Sequence, residues 1–396
     1  MEKIIILGIT GGIAAYKAAG LARLFIRNKY PVQAVMTPAA TRFITPLTLQ
    51  TLTGRRVLID VFDGERPDKV AHIDLAARAE ALVVAPATGN TLGKFAAGIA
   101  DNFLTTLFMA LQCPVVLVPA MNERMYDSAA VQESLRLLRS RGYHLMEPGA
   151  GELACGIAGR GRMPEPDAIY TFVRHKIGKK DFSGIPVLVT AGPTREPLDP
   201  ARFLSNASTG LMGYSLARAF AERGAKVILI SGPVSLPPPL GVKLVPVVTA
   251  AEMYRAVLEY YPGCRVVVKT AAVADFRPSM AAPEKIKKEQ AGLTLSLAPN
   301  RDILKKLGEE KGDRLLIGFA AETGQLVEKA KRKLAQKNLD LIVANDLTVP
   351  GAGFASPTNQ VTLIDAAGRV EELPLMEKEA LAHRLLDRIR ERLTRG

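Results

Sequence analysis

Tryptophan is absent from this sequence, and only four histidines and three cysteines occur in its 396 residues. The cysteines, Cys113, Cys155 and Cys264, are odd in number and scattered, which argues against a disulfide framework and for a reducing compartment. Aromatic residues make up 6% of the chain, which weakens any case for stacking nucleic-acid bases. Neither sign of charge forms a tail. The net charge of +13 is spread over both halves; small phosphorylated substrates explain that pattern, and no nucleic acid is expected as a partner. No apolar run approaches the roughly 20 residues needed to span a bilayer, so no membrane is expected either. The opening MEKIIILGIT breaks at Gly8 into a Gly-Gly turn and reads as a first buried strand, not as a signal peptide. The expected location is cytoplasmic.

What the chain does have is core material: 48% of it is hydrophobic and 23% charged, an ordinary soluble balance with enough for two cores. IIILGI (4–9), VQAVMT (32–37), ALVVAPA (81–87) and VVLVPA (115–120) alternate with helical patterns. Uniformly apolar strands of this kind predict a parallel sheet covered on both faces. GKKDFSG (178–184) reads as a linker. The pattern then restarts with VLVTAG (187–192), VILISG (227–232), VVVKTAAVA (266–274), LLIGFAAE (315–322) and LIVAND (341–346). A hairpin is expected over 360–375 and a closing helix after it. The fold class is α/β, with two Rossmann-like three-layer (αβα) domains, residues 1–180 and 181–396. Ligands of such sheets sit beyond the carboxyl ends of the strands.

Those ends hold the chemistry-bearing residues of the first domain. GITGGIAAYK (8–17) offers backbone N–H groups and Thr10 as an anion cradle at a helix start, although a tight turn without ligand has the same sequence. It is not the GxGxxG dinucleotide pattern. His72 in VAHIDLA opens a helix. PAMN (119–122) sets an amide just past a strand end, where Asn122 can bond a carboxylate or cap the next helix. APATGNTLGKFAAGIADNFLTT (85–106) reads as a second glycine-rich strand-end loop. ELACGIAGRGRM (152–163) places Cys155 in a segment too glycine-rich for a stable helix or strand.

Taken together, T-GGIAA, H-I-DLA, APATGNT, PAMN and LACG…GRM resemble the flavin-containing cysteine decarboxylases, and more specifically the phosphopantothenoylcysteine decarboxylases, across residues 1–175. The resemblance implies a flavodoxin-like fold with FMN on Thr10, Gly11, Gly12, Thr37, Thr88, Gly89, Asn90, Thr91 and Met121. It implies His72 as a base-like catalytic residue, Asn122 as the grip on the substrate carboxylate, and Ala154 and Met163 as substrate contacts. LACG…GRM becomes a flap that closes over substrate, and Cys155 donates a proton late in the cycle. A flavin is needed because a cysteinyl carboxylate has no electron sink. Oxidising the thiol lets carbon dioxide leave an enethiolate, which Cys155 protonates. Ile157 departs from the acidic residue that often follows CG in the family.

In the second domain, VTAGPTREPLDPARFLSNASTGLMG (189–213) is a strand, a loop and a glycine turn into a helix, a place for phosphate. TAAVADFRP (270–278), APEKIKK (282–288), PNRDIL (299–304), GFAAET (318–323) and KRKLAQKNLDLIVAND (331–346) follow. Lys333 and Lys337 fall one helical turn apart, which suits a polyphosphate and equally a solvated face. The set resembles the bacterial, CTP-using phosphopantothenate–cysteine ligases over about residues 185–395. It implies Asn206 against an acyl-cytidylate and a CTP site at Ala271, Ala272, Val273, Asp275, Lys285, Asn300, Arg301, Asp302, Ile303, Phe319, Lys333 and Lys337. Lys285 would neutralise the departing pyrophosphate. Leu211 stands where that family frequently has lysine. The implied substrates are 4′-phosphopantothenate, CTP and cysteine, then 4′-phosphopantothenoylcysteine. Mg2+ is expected on the triphosphate, with Asp275 and Asp302 as candidate ligands. The family builds homo-oligomers, and a dodecamer is expected. An NAD(P) oxidoreductase is disfavoured by the missing GxGxxG, and a non-catalytic flavin-binding relative by the presence together of His72, Asn122 and Cys155.

Overall fold

The computed structural model describes residues 2–62, 70–152, 158–287, 293–322, 324–346 and 348–394. The chain divides between Gly178 and Lys179 into two compact α/β units.

In the first unit, alternation of side chains along each strand feeds two cores. Ile5, Leu7 and Ile9 pack with helices Lys17–Arg27 and Pro166–Ile177. Ile4 and Ile6 face the other way, toward helices Gly89–Ala97 and Phe103–Ala110. A strand buried on both faces must be apolar throughout, which is why IIILGI was readable. The five parallel strands lie in the order Val32–Met36, Ile4–Ile9, Ala79–Ala87, Val115–Pro119, His144–Leu145. This is the flavodoxin-like order, whose switch point lies between the Ile4–Ile9 and Ala79–Ala87 strands.

Two expectations fail in this unit. Residues 85–106 are mostly helical, not a loop. Asn102 starts the second helix through a capping box, in which its Oδ1 accepts the Thr105 N–H and Thr105 Oγ1 accepts the Asn102 N–H. The glycine-rich segment does form strands: Gly149–Glu152 pairs antiparallel with Ala158–Arg162. Its glycines serve close approach. Gly161 has φ +118°, and a Cβ there would overlap the Met121 carbonyl oxygen.

The second unit has eight strands in the order Val242–Pro246, Lys226–Ser231, Pro186–Ala191, Val266–Lys269, Leu315–Glu322, Leu341–Asp346, Thr358–Asp365, Val370–Glu377. The first six run parallel and the last two form the expected hairpin, added antiparallel. Helices Leu211–Glu222 and Lys378–Leu393 cover one face. Ala250–Tyr260, Ile303–Glu309 and Leu326–Gln336 cover the other.

Here too the sequence misled in two places. Residues 179–184 are folded into this unit rather than forming a linker. Phe182 is fully buried, edge-on to Phe220 at 5.2 Å between ring centroids, and lies against the Arg223 guanidinium, which pairs with Asp181 and Asp387. Burial of that one ring outweighs the polar composition around it. The VVVKTAAVA run leaves the sheet after Lys269, where the Ala271 N–H donates to the Thr190 side-chain hydroxyl of the neighbouring strand rather than to a backbone carbonyl. Among the described residues, no helix is long and apolar enough to cross a membrane.

Candidate active sites

Beyond the carboxyl ends of the first sheet lies a cavity of about 1000 Å³, the size of a cofactor site. Gly11, Gly12, Thr37, Thr88, Gly89, Asn90, Thr91, Met121, Asn122 and Met163 line it. Thr10 lies beneath. Fully buried, its hydroxyl donates to the Pro86 carbonyl at 2.8 Å and accepts the Thr88 N–H at 3.0 Å, so it ties the two strand ends together across the switch point. Thr88 leads into helix Gly89–Ala97 without a side-chain cap, leaving first-turn amides and the positive helix end for an anion. At Gly11 a Cβ would come 2.5 Å from Ala39 Cβ, so the two loops at the mouth meet only over a glycine.

The PAMN turn and the hairpin are joined through backbone. The Met121 N–H donates to the Gly161 carbonyl at 3.0 Å, and the Arg160 N–H donates to Glu123 Oε1 at 3.0 Å. Asn122 Oδ1 accepts the Arg124 N–H at 2.9 Å, capping helix Glu123–Tyr126. Capping and cavity lining are thus combined in one residue. Nearly buried Lys17 donates to the Met163 carbonyl at 3.1 Å and to Glu165 at 2.8 Å, which fixes Met163. Gly161→Ala should break the joint: the strained φ and the overlap cost about 1–3 kcal/mol locally. Decarboxylation should fall at least about tenfold while ligation stays unchanged. Parallel assays of the two activities check this, and equal losses in both would count against it.

Sequence reasoning placed His72 in this site, yet the cavity lining of a single chain does not include it. It sits in the first turn of helix Ala71–Arg78, which packs through Leu75 into the core on the Phe103–Ala110 side. Ala154 and Cys155 lie outside the described residues. Reasoning missed Lys17, Lys94, Asp101 and Asn102, which also line the cavity. Lys94 and Asp101 pair at 2.5 Å across the left-handed Gly98 turn. The signal was a lysine and an acid flanking a helix-ending glycine.

In the second unit Asn206 and Asn300 both bond the loop that follows the Val266–Lys269 strand. Asn206 Nδ2 donates to the Ala272 carbonyl at 2.5 Å, and its Oδ1 accepts the Ser208 N–H at 3.1 Å. Asn206 thereby fixes the Ala271–Val273 loop against the glycine turn. Asn300 Nδ2 donates to the Ala274 carbonyl at 2.9 Å, and the Asn300 N–H donates to the Asp275 carbonyl at 2.8 Å. Asp302 caps helix Ile303–Glu309 and pairs with Lys337 at 2.9 Å. Lys333 pairs with Glu322 at 2.5 Å. Arg301 lies over the Tyr254 ring. Ile303 is buried in the core, so only its backbone can meet a ligand.

Ala271, Ala272 and Phe319 line a small cavity of about 140 Å³ with Leu211, the buried Asn345 and Lys378. The other residues assigned to CTP lie outside that lining. Lys378 holds the 353–356 loop through the carbonyls of Gly353, Phe354 and Ser356, and burial pushes its amine pKa down. Exposed Lys285 is carried on a segment docked by Asp199, whose carboxylate accepts the Ile286 N–H at 3.1 Å, and by Arg202, which donates to the Ile286 carbonyl at 2.6 Å. Among the described residues no cluster of three or more His, Cys, Asp or Glu could hold a metal ion.

Comparison with known proteins gives two family matches: Flavoprotein over residues 1–178, and DNA/pantothenate metabolism flavoprotein C-terminal domain over residues 182–393. The coenzyme A biosynthesis bifunctional protein CoaBC of Bacillus subtilis (strain 168) is 47% identical over 394 residues, covering 97% of this chain and 96% of the relative. Its namesake from Escherichia coli (strain K12) is 44% identical over 392 residues, covering 98% and 96%. A cysteine/cysteine sulfinic acid decarboxylase from an unknown prokaryotic organism is 44% identical over 353 residues, covering 87% of this chain and 98% of its own.

Proposed function

The chain belongs to the CoaBC family of bifunctional coenzyme A biosynthesis proteins, and on that premise we propose how its two units share consecutive steps. It is a phosphopantothenate–cysteine ligase and a phosphopantothenoylcysteine decarboxylase. The observation that carries the decarboxylase assignment to these residues is the 1000 Å³ cavity at the switch point. Its size, the uncapped start of helix Gly89–Ala97 and the Gly11 cradle suit FMN and its phosphate. FMN bound there would supply a two-electron sink that lets the substrate carboxylate leave as carbon dioxide and would return both electrons to give the saturated thiol, so the net reaction is redox-neutral. Around it, Thr10 locks the strand ends, Asn122 orients the carboxylate, Lys17 fixes Met163, and the Cys155 thiol protonates the enethiolate carbon.

In the ligase unit, the carboxylate of 4′-phosphopantothenate attacks the α-phosphorus of CTP, and pyrophosphate leaves past Lys285. The cysteine amine then displaces CMP to form the amide. Mg2+ rides on the triphosphate. Each unit has its own cores, which supports two separately folding domains, with Lys179 and Lys180 going with the second. A homo-oligomer, the dodecamer, accounts for His72: with exposed Val70 and Ile73 beside it, a second copy can bring its own His72 to the cavity. Apart from cysteine, the substrates and product are small phosphorylated molecules, and the protein works in the cytoplasm.

Cys155→Ser tests the proton donor. A serine hydroxyl is a far weaker acid than a thiol, so the variant should keep its FMN and release one equivalent of carbon dioxide in a single turnover. It should accumulate a species two hydrogens lighter than 4′-phosphopantetheine, with turnover down roughly 10²–10⁴-fold. Mass spectrometry showing only the saturated product at the parent rate would remove Cys155 from this role. The relative named for cysteine or cysteine sulfinate decarboxylation favours a second reading, in which the first unit acts on the free amino acid.

A further inference from the structure

The Val266–Lys269 strand ends an apolar run on a lysine that the proposed chemistry does not use. Along it Val266 and Val268 enter one core and Val267 the other, so Lys269 shares the face of Val267. Its register neighbours are Thr190 and Gly318. Leu304 and Leu339 fill the space where a Gly318 side chain would stand, so Lys269 tops an apolar surface under helices Ile303–Glu309 and Leu326–Gln336. The charged groups acting on its ammonium are Lys337 and Lys333 at the second helix, Asp302 at the cap of the first, and Asp275 in the loop that follows the strand. Lys333 and Lys337 already have carboxylate partners in Glu322 and Asp302. Half-buried Lys269 has no hydrogen-bond or ion-pair partner among the described residues. A partly desolvated ammonium with no direct ion-pair partner is unfavourable, and it suits a place where a ligand brings the anion.

We propose that Lys269 is a further ligand-binding residue of the ligase unit, its ammonium pairing with a phosphate oxygen of the bound nucleoside triphosphate. This rests on the CTP reading above. The position supports it: Lys269 is followed directly by Thr270 and the Ala271–Val273 loop, and it shares Asp302, Lys333 and Lys337 with the assigned nucleotide site. Burial, and next the Lys337 charge, lower its pKa to about 8. The cation is present below that value and lost above it, so nucleotide affinity should fall as pH rises through about 8.

Equilibrium binding of CTP with saturating Mg2+ to the full chain tests this, comparing the parent with K269Q and K269R at about pH 7.5 and about pH 9.5, where the phosphates of CTP are fully ionised. The parent should lose about tenfold in affinity across that range, and K269Q should be about tenfold weaker at the lower pH and flat thereafter. K269R should bind well at both, since guanidinium does not titrate there. Without ligand, K269Q should unfold at or above the parent temperature, whereas a purely structural lysine would lower it. If K269Q matches the parent in affinity and pH slope, the proposal is overturned while the CTP reading stands. If the parent binds no CTP at either pH, both fall.

Discussion

Asn122→Asp should remain folded and flavin-loaded yet lose decarboxylation by roughly 10²–10³-fold. The substitution is informative because it keeps one role and inverts the other. A carboxylate oxygen can accept the Arg124 N–H as Oδ1 does now at 2.9 Å, so helix Glu123–Tyr126 keeps its cap and the turn its geometry. At the cavity wall, however, a neutral amide becomes an anion facing the substrate carboxylate, and like charges in a partly enclosed space repel strongly. Ligation should be untouched. The checks are carbon dioxide release from 4′-phosphopantothenoylcysteine, the visible flavin band and thermal unfolding. Asn122→Ala is the contrasting variant: it loses the cap, about 1 kcal/mol, without adding charge. Parent-rate decarboxylation by Asn122→Asp would place the substrate carboxylate elsewhere.

Asn206→Asp should cost the ligase a similar factor, about 10²–10³, and spare the decarboxylase. Here the damage begins inside the protein. Nδ2 now donates to the Ala272 carbonyl at 2.5 Å; an aspartate presents an acceptor to an acceptor, and the Ala271–Val273 loop must move. The Ser208 N–H can still bond the retained oxygen, so the glycine turn stays and the loss concentrates on the nucleotide side. The added charge also faces the acyl-cytidylate phosphate, so the intermediate should weaken more than CTP binding does. Pyrophosphate release from CTP, measured with and without cysteine, separates these effects. An unchanged release rate would leave Asn206 as a turn residue only.

The fold was legible where local pattern and tertiary fate coincide. IIILGI, LLIGFAAE and LIVAND lie in parallel sheets and announce themselves as apolar runs. The His144–Leu145 strand is two residues long and has no period to detect. Phe182 hides in a stretch of glycine and charge, and its burial depends on Phe220 and Arg223, nearly forty residues away. The glycines of 152–163 suggested weak structure because the requirement at Gly159 and Gly161, close approach to the PAMN turn and Glu123, is a tertiary fact. The site divides in the same way. TGNT and PAMN are contiguous pieces that reach the cavity wall, whereas Lys17 reaches Met163 across most of the unit and Lys269 sits inside what read as one long strand.

The most direct measurement of the central claim is a one-pot reaction of the purified chain with 4′-phosphopantothenate, cysteine, CTP and Mg2+, followed by mass spectrometry and carbon dioxide detection. The account predicts one pyrophosphate, one CMP and one carbon dioxide for each 4′-phosphopantetheine formed. Withholding CTP should stop every product, and adding 4′-phosphopantothenoylcysteine should restore carbon dioxide and 4′-phosphopantetheine together, with no pyrophosphate or CMP. Carbon dioxide from cysteine in the absence of CTP and 4′-phosphopantothenate, with no 4′-phosphopantetheine from the complete mixture, would contradict it.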